Sequence, residues 1–150
     1  MPDNFGVMSS NAVLDLYRQT TSGIFAILIG VVSLSLVVGG IVIMNIMLMV
    51  VSERTREIGL RKSLGARRRD ILWQILTESV TLSTFGGIVG TAFGFGTAMI
   101  ISTYAPFTAV VEPWAVGLGI SMTALVGLFF GLYPAMRAAS LDPIEALGRE

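Results

Sequence analysis

Hydrophobic positions along this chain fall into three long blocks separated by short polar breaks. The first block, 24–51, carries no charge. Residues 52–70 then read SERTREIGLRKSLGARRRD, and a second apolar block follows over 71–101. The third covers 114–136. A spanning helix needs about 20 apolar residues, because ~30 Å of hydrocarbon is crossed at ~1.5 Å per residue. All three blocks reach that length. The first two exceed it, which predicts tilt or extension beyond the bilayer. Helices of a soluble core would show one polar face, and these do not. The pattern predicts an all-α polytopic membrane protein: three transmembrane helices, with a short cytoplasmic helix between the first two.

Composition sharpens this picture. Of the 150 residues, 53% are hydrophobic and 13% charged, about half the ~25% charged share of soluble domains. The missing charge is confined to the blocks. Cysteine and histidine are both absent, which excludes disulfides and the usual zinc constellations. No secretory leader is visible, because no basic segment precedes the first block and the block is too long for an h-region.

Charge then orients the chain. Loop 52–70 holds seven basic residues against Glu53, Glu57 and Asp70, for a net charge of +4. The loop at 102–113 has no basic residue and one acid, Glu112. The tail carries Arg137 and Arg149. By the positive-inside rule, 52–70 and the tail 137–150 face the cytoplasm. Segments 1–23 and 102–113 face outward. Residues 11–23 suit an amphipathic helix running into the first span, and 1–23 have the look of the end of a longer segment.

Two features inside the spans invite packing. Gly86, Gly90 and Gly94 step by four residues, which places them on one helix face, with Gly87 and Gly96 beside them. Gly127, Gly131, Ala135 and Ala139 repeat the device in the third span. Packing within one subunit is favoured over a homodimer seam for these stripes, although both readings stay open. No charge lies in the central part of any span, which argues against a proton relay or an ion-coupled pathway. Glu78 lies near a membrane boundary, and the nearby arginines are its candidate partners.

Loop 52–70 is the most informative stretch. Glu57 and Arg61 stand four apart with the acid first, the favourable helical order. Gly65 is placed to end the helix with a left-handed cap. Ile58, Leu60 and Leu64 supply apolar contacts for a partner groove or the membrane interface. A purely cationic loop held at anionic lipid gives its acids no role, whereas a mixed-charge face gives register and partner choice. Both readings remain open from composition.

Residues 39–66, GGIVIMNIMLMVVSERTREIGLRKSLGA, resemble the span-and-loop motif of the FtsX-like permeases, membrane subunits of MacB-type ABC transporters. The ending GLYPAMRAASLDPIEALGRE, residues 131–150, is similar to that family's last span and tail. The resemblance runs from about residue 12 to residue 150 and implies a dimeric permease driven by an ATP-binding domain or subunit. It implies four spans, with an extracytoplasmic domain between the first two, so that this chain corresponds to the C-terminal three. It implies mechanical transmission to the outside, toward efflux, in a bacterial inner membrane. A periplasmic adaptor and a second permease copy are further implied partners, along with the lipid bilayer; nucleic acid is not one.

By the same resemblance the ATPase contacts fall on Glu53, Arg54, Thr55, Arg56, Glu57, Ile58, Arg61, Lys62 and Leu64, with Gly59 and Gly65 shaping the turn. The chain has no G-x-x-x-x-G-K-[ST] loop, so ATP and magnesium belong to the partner. An FtsX-like scaffold that regulates an external partner without transport is the alternative. An intramembrane hydrolase is disfavoured, because no span holds paired carboxylates or a Ser–His set.

Overall fold

A computed structural model describes residues 10–104, 111–142 and 146. The ends of the expected segments at 1–9, 105–110, 143–145 and 147–150 lie outside the described residues. Four helices account for nearly all of the rest: α1 (Ser10–Glu53), α2 (Thr55–Ser63), α3 (Arg68–Tyr104) and α4 (Pro113–Ser140). No strand occurs among the described residues. Three of the helices, α1, α3 and α4, are long and apolar enough to cross a membrane.

Helix α1 has 44 residues, which at ~1.5 Å each gives about 66 Å of rise, twice the hydrocarbon thickness. The amphipathic start and the first span are one continuous helix. The described residues up to Ser35 form a unit of their own. Its apolar side chains, Ile24, Phe25, Ile27 and Val31 among them, are more than half exposed. Water would not tolerate such a surface, whereas lipid covers it at no cost.

The described residues from Leu36 onward form the second unit, built around an antiparallel α3–α4 pair. Small residues let the two backbones close. An added Cβ on Gly131 would lie 2.3 Å from the Ser79 hydroxyl, on Gly127 1.9 Å from that of Ser83, and on Gly87 2.2 Å from that of Thr123. These contacts step four residues at a time in opposite directions along the two helices. The Ser79 hydroxyl also donates to the Gly127 carbonyl at 2.9 Å across the seam. Elsewhere on α3, the hydroxyls of Thr77, Thr81, Thr84 and Thr91 donate to carbonyls four residues back, so they need no water inside lipid.

Within this unit α1 joins α4 where Gly40 faces the Phe130 ring; a Cβ there would sit 2.2 Å from a ring carbon. The true core lies at the end of the bundle that carries α2. Met47, Val51, Ile58, Ile71, Ile75, Leu76, Ala135 and Ala138 pack there, each at most 5% exposed. Four helix segments converge on this cluster, which fixes α2 against the spans. The rest of the unit leaves large side chains outward for lipid, for example Phe85, Phe93 and Phe129.

Helix ends follow local chemistry. At the start of α3 the Asp70 carboxylate accepts the Arg67 amide at 3.0 Å, the return half of a capping box. Pro113 opens α4, where a missing amide costs nothing. Pro134 lies fully buried inside α4 and removes its own bond to the preceding turn.

Candidate partner-docking surface

Helix α1 ends at Glu53 and α2 begins at Thr55, with Arg54 alone between them. Arg54 has φ −93° and ψ 13°, outside the helical region, yet its amide still bonds the Val50 carbonyl at 3.0 Å. The buried Thr55 hydroxyl donates to the carbonyls of Val51 (3.0 Å) and Ser52 (2.9 Å), which satisfies acceptors left over at the end of α1. At the far end, Gly65 takes φ +97°, a conformation that any other L residue would strain to adopt. The Gly65 amide bonds the Lys62 carbonyl and the Ala66 amide that of Arg61, at 3.1 and 3.0 Å. This double closure is a Schellman motif, and it ends α2 after nine residues.

The short helix has two faces. Thr55, Ile58 and Gly59, at helical spacing, turn inward. Ile58 enters the core, and Gly59 abuts Ala146, whose methyl lies 2.6 Å from where a glycine Cβ would be. Lys62 also points inward: its ammonium donates to the Ala139 carbonyl at 2.9 Å and to the Leu141 carbonyl. These are orphan acceptors at the C-terminus of α4, where a cation also meets the negative end of the helix dipole. Lys62 thus fastens α2 to the last span. Burial, then the charge of Arg68, lower its pKa from the ordinary 10.5, while Asp142 acts in the opposite sense.

The outward face carries Glu53, Arg54, Arg56, Glu57, Leu60, Arg61 and Leu64, all exposed. Leu64 is 80% exposed. Glu53, Arg54, Arg56, Glu57 and Leu60 line one open groove of about 530 Å³. Arg61 meets the Glu57 carboxylate at 2.5 Å and donates to Gln74 at 3.0 Å. Arg54 lies 3.8 Å from Glu78, which gives that boundary acid its partner. Both pairs stay largely exposed and add little stability; they hold the arginines in place. Among the described residues no ion pair reaches Arg56, and Leu60 beside it is exposed. Among the described residues, no cluster of acids could hold a metal ion.

The two glycine stripes part company. Gly127 and Gly131 lie in the α3–α4 seam, but a Cβ on Gly86, Gly90 or Gly94 would have no neighbour within 4 Å. The α3 side of the seam is made by Ser79, Ser83 and Gly87 instead. Sequence reading passed over the two serines, although their four-residue step continuing to Gly87 was there to be seen.

Three helices long and apolar enough to cross a membrane, a seam of small residues and a capped helix at the α2 end define a polytopic α-helical membrane protein. The FtsX-like permease C-terminal family matches residues 24–143, and the chain belongs to that family. Among curated relatives, the macrolide export ATP-binding/permease protein MacB of Bdellovibrio bacteriovorus is 47% identical over 99% of this chain. The uncharacterized ABC transporter permease YknZ of Bacillus subtilis is 45% identical over the same share. The MacB of Hyphomonas neptunium is also 45% identical over 99% of the chain. The chain spans 23% of the length of each of these MacB proteins and 37% of YknZ.

Proposed function

We propose that this chain is the membrane-embedded transmission part of an ABC transporter, with α2 as the helix that receives an ATP-binding domain. The observation that carries this reading is the division of labour on α2. Its inner face is fixed by Ile58, Gly59 and Lys62, while its outer face offers a groove of alternating charge around Leu60. A lever needs both a grip and a rigid attachment. Motion given to the outer face reaches the core, then α1, α3 and α4 together, because all four contribute to that cluster. The family and the names of the relatives support an ATP-driven partner. ATP and its magnesium reside in that partner, and the output is export or mechanical work on the far side.

The charge asymmetry of the loops supports a cytoplasmic α2 in a bacterial inner membrane, with α1 starting outside. A single cysteine replacing Ser63 is expected to resist a membrane-impermeant thiol reagent in intact cells, while one replacing Tyr104 reacts. The chain has no cysteine of its own, which makes the reading clean. Docking is tested by Arg56→Glu with Leu60→Glu in the full transporter. Both residues are exposed, so folding and membrane insertion persist while the ATP-binding subunit no longer co-purifies. Undiminished co-purification contradicts the proposal.

A further inference from the structure

The cations that open α3 differ from those of α2. Arg54 and Arg61 each have a carboxylate within 4 Å. Arg67, Arg68 and Arg69 are exposed, and among the described residues no ion pair reaches them. Asp70, the acid beside them in sequence, has its carboxylate on the Arg67 amide. The positive charge of this cluster is also felt at Lys62, where Arg68 disfavours the ammonium.

Arg68 and Arg69 border a groove of about 190 Å³ between the start of α3 and the end of α4, lined also by Leu72, Met136, Ala139 and Ser140. Arg68 stands four residues before Leu72, and Arg69 four before Trp73, so each cation lies about 6 Å along the helix from an apolar side chain. Trp73 is 61% exposed and Met136 47%. An exposed tryptophan on a spanning helix marks the headgroup level. The zone beyond the hydrocarbon is about 5–8 Å thick on each side, so Arg69 falls within it.

We propose that this groove holds the phosphate of an anionic glycerophospholipid between Arg68 and Arg69, with an acyl chain lying along Leu72 and Met136. Guanidinium forks match phosphate oxygens in geometry as well as charge. A protein partner would find the register-giving mixture of signs on α2. Here the three arginines outnumber the exposed Asp70 and Asp142, and they stand over an apolar floor, which suits a lipid.

The chain in mild detergent, stripped of lipid and given equal phosphatidylglycerol and phosphatidylcholine, tests this by native mass spectrometry. Phosphatidylglycerol is expected to be retained preferentially, with about fivefold of the preference from each cation. Arg68→Gln with Arg69→Gln removes the preference, while Arg56→Gln leaves it. Met136→Glu, which places an acid in the groove and leaves both arginines, lowers it as well. Three results overturn the proposal: no preference in the parent chain, equal loss from Arg56→Gln, or full retention in Met136→Glu. Inorganic phosphate at millimolar concentration should not displace the lipid; displacement would mean a simple anion site.

Discussion

Two glycine stripes in this protein have the same spacing and opposite fates. Gly127 and Gly131 on α4 are closed over by serine side chains, whereas Gly86, Gly90 and Gly94 on α3 face outward from the unit. Spacing alone fixes which residues share a face, and the difference shows that it does not fix what covers the face. The α4 stripe is matched across the seam by residues that are small and can also hydrogen-bond. Ser79 does both, with its hydroxyl on the Gly127 carbonyl. The same contrast between an engaged and an open face organises α2, where Ile58 is 3% exposed and Leu60, two positions on, is 52% exposed.

The comparison breaks most visibly at Gly127. A methyl there would lie 1.9 Å from the Ser83 hydroxyl and 3.0 Å from the Ser79 carbonyl, so α3 and α4 must separate. Gly127→Ala is expected to cost about 3 kcal/mol in a reversible unfolding titration in detergent. Adding Ser83→Gly moves the small residue across the seam and should restore at least half of the loss, a coupling that a double-mutant cycle reads directly.

Next in size is the clamp on α2. Lys62→Met leaves the carbonyls of Ala139 and Leu141 without their donor and should cost about 1 kcal/mol by the same titration. Loosening of the α2 end should appear first, as faster amide exchange in 55–63 than in α3.

A smaller effect follows from pH. Lys62 is the one lysine of the chain, and burial puts its folded pKa below the ordinary 10.5. Folding therefore disfavours its proton. That penalty is fully present below the folded pKa and fades as pH rises from there toward 10.5. Stability therefore rises with pH over that alkaline window as the penalty is relieved, the reverse of a salt-bridged lysine. The rate of Lys62 modification by an amine reagent should reach half-maximum below pH 10.5; a midpoint at or above it contradicts the assignment.

At the small end stands Gly90→Ala. With no neighbour within 4 Å, the added methyl meets only surrounding lipid or detergent, and stability should change by no more than about 0.5 kcal/mol. A loss of several kcal/mol would mean that another chain covers this face.

Much of this was legible before any coordinates. The three crossings, the Glu57–Arg61 pair and the left-handed turn at Gly65 are short-range consequences of residue type and spacing. The order of faces was harder. Ile58 was grouped with Leu60 and Leu64 because all three are apolar, yet residues two apart on a helix point about 200° apart. Ile58 and Leu60 therefore cannot share a surface. Lys62 enters the docking set through the resemblance, by its place in the matching motif. Its partners are 77 and 79 positions away, in a contact that only the folded bundle creates. Gly87 lay beside the more conspicuous stripe and was the glycine that mattered on α3, since Thr123 was its match on another helix.

The central claim is that the outer face of α2 receives the ATP-binding domain. A photo-reactive residue replacing Leu60 in the membrane-bound transporter tests it directly, with the same probe at Leu82 on the exposed flank of α3 for comparison. An adduct to the ATP-binding domain from position 60 and none from position 82 is the predicted result. No adduct from position 60, or equal adducts from both, would contradict the account.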